Sequence, residues 1–263
     1  MAVDSIRVEN VTKAFTLRFH RTFKQVTVAK VRGRKTSDTK IAVDDVSFTV
    51  EQGESIGLMG LNGSGKSTLL KMINGVMRPD QGRILTRGRI AGLIATGAGF
   101  HPQLSGRENI MLNAAILGMS ENEIARKYDS IVDFAGIETR LLETEVGHYS
   151  SGQSARLGFA VAIHVDSDIF LADEVLAVGD KPFRAKCIER MEQVRDGGRT
   201  LFYVSHSAGS VRRMCSRVIV LDQGRVAFDG DVDEGIRFLK YDDGDDRTEL
   251  PEDDLEDELG ADI

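Results

Sequence analysis

Tryptophan is absent from the 263 residues, and the remaining aromatics, twelve Phe and four Tyr, narrow no function class by themselves. Cysteine is nearly absent. Cys187 and Cys215 stand apart in helix-like, partly apolar sequence without metal-ligand spacing. A disulfide framework and a cysteine metal site are therefore not expected, and buried or half-buried free thiols are. No apolar stretch approaches the ~18 residues that a membrane-spanning helix needs. The opening MAVDSIRVEN lacks the charged and apolar regions of a secretory leader, so a cytoplasmic protein is the expectation. With 41% hydrophobic residues the chain can build one large core, or one core with a subdomain.

Net negative charge is crowded at one end of the chain. The total is −7, yet residues 242–263 hold twelve Asp or Glu against Arg247 alone, a net of −11 that leaves residues 1–241 at +4. The acidic segment has too few apolar groups to offset ordering entropy and is predicted to be disordered, with solubility as its role.

The stretch GLNGSGKST, residues 60–68, organises the rest. It fits G-x-x-x-x-G-K-[ST] and follows the apolar run SIGLM at 55–59, which reads as a short buried strand. A triphosphate is a dense cluster of negative charge. Gly60, Gly63 and Gly65 let the backbone bring its N–H groups close to phosphate oxygens, and the following helix adds a partial charge of about +0.5 at its N-terminus. Leu61, Asn62, Ser64 and Thr68 complete the loop. Lys66 is expected to reach the β- and γ-phosphates and the Ser67 hydroxyl to ligate Mg²⁺.

Upstream, Ile6, Val8 and Val11 alternate with polar residues as in a half-buried strand, and Phe15 follows. Its ring is either a platform for a nucleotide base or an ordinary core phenylalanine. Residues 16–40 then hold Arg18, Arg21, Lys24, Lys30, Arg32, Arg34, Lys35 and Lys40 against Asp38 alone. This insertion, with Phe19 and Phe23 spaced for one helix face, is either a solvated loop or a contact for anionic headgroups or a phosphorylated ligand. Residues 41–50 alternate again as a partner strand. Strands on either side of Gly88 follow the phosphate-loop helix, and Ser105/Glu108 and Ser120/Glu123 are capping boxes, the first opening a helix through Leu112. Residues 105–165 thus form a helical subdomain.

The apolar run 169–172 ends in Asp173 and Glu174, where a parallel sheet would place a Mg²⁺ carboxylate. Asp180 and Pro182 start another helix. The strand TLFYV, 200–204, leads to Ser205 and His206 at the same sheet edge, and a hairpin turns at Asp222–Gly224.

Together these residues resemble an ATP-binding cassette ATPase over about 5–240. The discriminating motif is Tyr149-Ser150-Ser151-Gly152-Gln153, which is similar to the family signature LSGGQ with Tyr for Leu and Ser151 for the first Gly. The resemblance implies an α/β fold: a RecA-like parallel-sheet core, an antiparallel β subdomain and an inserted α-helical subdomain, spanning 1–241. It implies ATP and Mg²⁺ as ligands, with Lys66, Ser67 and Thr68 on the phosphates, Ser67 and Asp173 on the metal, and Phe15 stacked on adenine. Glu174 is implied as general base and His206 as a γ-phosphate contact. Ser150, Ser151, Gly152 and Gln153 are implied to close over the nucleotide of a second, head-to-tail copy, and Ala177–Asp180 to couple the two sites. Where most cassettes have a glutamine ahead of the helical subdomain, counting back from Pro102 leads to Thr96, and Gln103 lies beyond the proline.

GAGFHPQLSGRENI, YSSGQ, DEVLAVGD and the long early insertion are together similar to polysaccharide-exporting cassettes of the Wzt type, which serve O-antigens, teichoic acids and actinobacterial galactan. That likeness implies a homodimer of ATPase subunits at the cytoplasmic face of the membrane, working with two copies of a separate permease. The implied cargo is a lipid-pyrophosphate-linked glycan, with the basic insertion near its pyrophosphate. No nucleic-acid partner is expected, since neither a second cassette nor a long coiled coil is present. An importer or drug-efflux ATPase shares the chemistry, and it predicts a glutamine near 96 and no basic insertion.

Overall fold

The computed structural model describes residues 3–18, 37–93, 100–173 and 179–242. The core of the basic insertion (19–36), Thr96, Glu174, Ala177, Val178 and the acidic segment from 243 onward lie outside the described residues, and the expectations placed on them go with them.

The apolar runs read from sequence become neighbouring strands of one sheet. β1 (Asp4–Arg18), β2 (Ser37–Glu51) and β4 (Gln81–Thr86) form an antiparallel sheet in the order β2-β1-β4. β3 (Ser55–Met59), β5 (Ile90–Leu93), β6 (Ile169–Ala172), β7 (Thr200–Val204), β8 (Arg217–Asp222) and β9 (Arg225–Gly230) form the second, ordered β5-β6-β7-β3-β8-β9. All its pairs are parallel except β8 with β9. Every residue of β3, β6 and β7 is buried, as strands covered on both faces must be.

Side-chain alternation divides the core. Ile56, Leu58, Ile169, Leu171, Phe202, Val204, Ile219 and Leu221 face the antiparallel sheet and helix α1 (Lys66–Ile73). Phe48 and Phe202 stack across that interface with ring centroids 6.1 Å apart. Met59, Phe170, Ala172, Leu201, Tyr203, Val218 and Val220 belong to the core of the other face.

Residues 105–165 form α2 (Gly106–Ile116), α3 (Glu121–Ala135), α4 (Thr139–Leu142), a 3₁₀ turn at Val146–His148, and α5 (Ser151–Ile163). The capping boxes at Ser105/Glu108 and Ser120/Glu123 are both formed. The first helix runs four residues past the expected Leu112 and stops before Gly118, whose φ is 85°. Arg89, just ahead of β5, bonds both Glu123 carboxylate oxygens at 3.3 Å and so ties these helices to the sheet. Burial raises the Glu123 pKa and the Arg89 contacts lower it; the contacts prevail and the carboxyl lies below its usual range.

α6 (Lys181–Asp196) starts at an Asp180 cap with Pro182 in its first turn, as read from the sequence. α7 (Ala208–Met214) and α8 (Val232–Asp242) follow. Cys187 and Cys215 are unpaired, and burial pushes both thiols up to about 12, so they stay protonated near neutral pH.

One boundary differs from expectation. The β1/β2 ladder continues through Ala14↔Ile41, Phe15↔Lys40 and Thr16↔Thr39 to Arg18↔Ser37, so residues 16–18 and 37–40 are strand rather than insertion. This outer arm has no core to cover, and its sequence therefore lost the apolar alternation that marks a strand.

Candidate functional site

The phosphate loop leaves the sheet at the carboxyl end of β3 and is clamped on two sides. Gly60 has φ 140° and Gly65 φ 109°. A Cβ would strike the Leu221 carbonyl at Gly60 and the Ala42 carbonyl at Gly65, so neither position admits a side chain. The Gly224 amide donates to the Ser64 carbonyl at 3.0 Å, which fastens the loop to the β8–β9 turn. Lys66 is buried, and its Nζ donates to the Gly60 and Leu61 carbonyls at 2.6 and 3.0 Å. Gly65, the N-cap of α1, has no side chain to bond the helix's first N–H groups, an arrangement suited to an anion.

Beside the loop is a cleft of about 330 Å³. Asn62, Gly63, Gly65, Lys66, Ser67 and Thr68 line one part of it. Asp173 and His206, from the ends of adjacent parallel strands, line another, and Phe15 a third. Gly60 and Ser64 are buried beneath the loop and Leu61 is exposed; none of the three lines the cleft. The Ser67 hydroxyl and the Asp173 carboxylate are hard oxygen donors sharing one cavity with Lys66, a set that fits Mg²⁺ held between protein and phosphate.

Phe15 is 36% exposed, which rules out the core alternative. The Lys13 ammonium sits 5.9 Å from its ring centroid and pairs with Asp80 at 2.7 Å, while Asp80 also accepts the Ala14 amide at 2.8 Å. The amide, then the ammonium, hold the Asp80 carboxyl below its usual range. The ring is thus braced by the turn ahead of β4 rather than by the core.

The signature residues are elsewhere. Ser150 caps α5, accepting from the Gln153 amide at 3.1 Å, and the Gln153 side chain accepts the Ser150 amide at 2.9 Å. Ser150 and Ser151 are exposed, and none of Ser150, Ser151, Gly152 and Gln153 lines the cleft of their own copy. Tyr149, in the place of the usual Leu, is buried and donates its O–H to the Leu141 carbonyl at 2.7 Å. A Cβ at Gly106 would collide with that hydroxyl, so Gly106 and Tyr149 are a fitted pair that sets the start of α5 against α2. Farther along α5, Arg156 pairs with Asp180 at 2.6 Å and lies 5.1 Å above the Phe183 ring, joining the signature helix to the start of α6.

The ABC transporter family model matches residues 43–177, from β2 across the phosphate loop and signature to just past Asp173. The chain belongs to the ABC transporter family. This ABC chain is 47% identical over 197 residues to the ABC transporter protein AbcA of Aeromonas salmonicida, covering 74% of this chain and 64% of AbcA. It is 41% identical over 210 residues to the O-antigen export system ATP-binding protein RfbB of Klebsiella pneumoniae, covering 80% of this chain and 83% of RfbB. It is 38% identical over 239 residues to the teichoic acids export ATP-binding protein TagH of Bacillus anthracis, covering 89% of this chain and 43% of TagH. The chain therefore spans less than two thirds of AbcA and under half of that TagH.

Among solved structures, an ATP-binding cassette dimer in a post-hydrolysis state with ADP and Pi superposes with a TM-score of 0.68 at 22% identity, over 86% of this chain and 98% of that one. The ATP-binding subunit of an ABC transporter superposes at 0.70 and 24% identity, over 89% and 93%. These two confirm the cassette fold.

Three residues lining the cassette's cleft escaped sequence reasoning: Lys40, Ala42 and Val204. By composition Lys40 belongs with the basic insertion, but in the ladder it faces Phe15 across the hairpin. Its signal was available only through the register of β1 on β2. Buried Asn109 was also missed; its amide bonds the His101, Leu104 and Ser105 carbonyls and its oxygen accepts the His101 amide, fastening the segment after Thr96 to α2.

Proposed function

We propose that this chain is the ATP-hydrolysing subunit of a transporter that moves a lipid-linked polysaccharide across the cytoplasmic membrane. Two copies work with two membrane-spanning permease subunits and sit peripherally on the cytoplasmic face. The observation that carries the reading is the single cleft shared by Phe15, Lys66, Ser67, Asp173 and His206, in a chain 41% identical to an O-antigen export ATP-binding protein. Among the described residues no helix is long and apolar enough to cross a membrane.

Phe15 stacks on the adenine ring while the loop from Gly60 to Thr68 holds the phosphates with backbone N–H groups and the Lys66 ammonium. Ser67 and Asp173 hold Mg²⁺, which neutralises phosphate charge when bound. Glu174 takes the proton of the attacking water, and His206 contacts the γ-phosphate. Ser150, Ser151, Gly152 and Gln153 of one copy cover the nucleotide of the other, so that charge neutralisation across the interface closes the dimer and hydrolysis opens it. The insertion around Arg21 and Lys24 meets the pyrophosphate of the cargo.

Depleting the protein in its own cell tests the cargo. Lipid-linked polymer is expected to accumulate on the cytoplasmic side, and unchanged polymer at the cell surface refutes the assignment. At the site, Phe15→Ala is expected to weaken ATP binding about tenfold, since an aromatic stack contributes roughly 1–1.5 kcal/mol. Titration with a fluorescent ATP analogue reads this directly, and unchanged affinity removes Phe15 as the base platform.

A further inference from the structure

Away from the nucleotide, a second cleft of about 510 Å³ lies between α3, the C-terminus of α5 and α6. Its charge is one-sided. Lys127 from α3 and Lys186 and Arg190 from α6 line it, against Glu189 alone. Lys186 and Arg190 are four residues apart and share a helix face. Burial lowers the pKa of His164, at the end of α5, below its ordinary value, so its imidazole adds no charge near neutral pH.

Internal contacts explain part of this set. Lys127 donates to the His164 carbonyl at 2.7 Å and pairs with Asp166 at 2.6 Å. Lys186 donates to the Asp133 and Phe134 carbonyls at 3.2 Å, closing the end of α3, and lies 4.6 Å from the Phe134 ring centroid. Arg190 bonds only the neutral Gln193 side chain, at 2.8 Å, and its buried Nε has no hydrogen-bond partner among the described residues. Neither Lys186 nor Arg190 has a carboxylate partner among the described residues. Helix capping accounts for the lysines' carbonyl bonds. It leaves two cations and a buried donor beside an aromatic floor with no carboxylate bonded to either cation among the described residues, and Glu189 as the one acid in the lining.

The missing charge is present in the same chain. Residues 252–258, EDDLEDE, place six carboxylates around Leu255. α8 ends at Asp242 and packs on β8, β9 and α7, while α7 packs on α6. Packed helix axes lie about 8–10 Å apart, so the two steps from α8 through α7 to α6 amount to roughly 20 Å where the helices touch. The ten residues from Asp243 to Glu252 reach about 33 Å when extended. That reach exceeds the two helix steps, and the covalent tether keeps the acidic run at high effective concentration around α6.

We propose that residues 252–258 dock in cis into this cleft, with their carboxylates on Lys186 and Arg190 and Leu255 against Phe134. The solubility role read from composition is then not the whole function of the acidic segment. α3 and α5 belong to the inserted helices and α6 to the sheet core, so the docked segment ties the two parts of the cassette together.

The test uses the full chain and a zero-length carbodiimide, which joins lysine amines to carboxylates in direct contact. Peptide mapping is expected to find residues 252–258 coupled to Lys186 and Lys127. The yield should fall at least about fivefold at ~0.5 M salt, where charges on the surface are screened within a few ångströms. Lys186→Gln with Arg190→Gln should cut the coupling at Lys127 by a similar factor. Should that variant fold poorly, replacing the six carboxylates of 252–258 by their amides, which alters none of the described residues, should raise acetylation of Lys186 in the otherwise intact chain. Coupling spread evenly over exposed lysines such as Lys71, or coupling only between isotopically distinct copies, overturns docking in cis, and so does an unchanged acetylation rate.

Discussion

Glu174→Gln is expected to bind Mg-ATP with near-native affinity while its hydrolysis rate falls ~10²–10⁴-fold, the usual contribution of a positioned general base. That loss corresponds to about 3–5.5 kcal/mol of barrier. The reasoning begins with the sheet. β6 ends at Ala172, Asp173 lines the nucleotide cleft, and Glu174 is the next residue at the carboxyl end of a parallel strand. Glutamine keeps the shape and hydrogen-bonding reach of glutamate but cannot take up a proton. The phosphate contacts proposed for Lys66, Ser67 and Thr68 do not involve this position, so ATP should still load. If hydrolysis opens the dimer, as proposed, the variant should accumulate as an ATP-bound dimer, read as a shift in size-exclusion volume that is reversed by removing magnesium. Turnover within a few-fold of the unaltered protein would assign the base elsewhere.

How much of this was legible in the sequence depended on whether a residue's role is local. SIGLM, the 169–172 run and TLFYV announced themselves as buried strands because a covered parallel strand must be apolar throughout. The phosphate loop was legible because Gly60 and Gly65 satisfy a backbone demand that nothing else can meet, and the structure shows the carbonyls that impose it. Asp173 and His206 could be assigned to one sheet edge from strand ends alone. Roles set by register were hidden. Lys40 looked like one more charge in a basic run until pairing placed it opposite Phe15. The outer hairpin arm gave no apolar alternation because it covers nothing. Ser150 and Gln153 carry capping-box spacing inside a segment that resembles a phosphate-binding signature, and the structure shows them engaged in the cap. Arg89 and Glu123, the link between helices and sheet, lie too far apart in sequence for any local pattern to join them.

Two inactive variants are expected to restore one another when mixed. Lys66→Ala removes the ammonium from the phosphate cleft of its own copy. Gly152→Asp sets a negative charge at the start of α5, where the signature would meet a phosphate. The second substitution is structurally mild: Gly152 has no positive φ, and the nearest atom to a Cβ there is Ser150 Oγ at 3.9 Å. If each nucleotide lies between the loop of one copy and the signature of the other, a mixed dimer has one composite site carrying both lesions and one carrying neither. Random pairing at equal amounts makes about half the dimers mixed, each with one of two sites intact, so activity should recover to about a quarter of the unaltered protein's. Each variant alone should show almost none. A mixture no more active than the mean of its components leaves two alternatives, a signature acting within its own copy or two sites that must both be sound. A short bismaleimide crosslink between Asn62→Cys on one copy and Ser151→Cys on the other separates them. The native thiols give little background, since burial pushes both up to about 12. An ATP-dependent crosslink between copies keeps the shared site, and its absence with ATP and magnesium present removes the dimer on which the transport cycle depends.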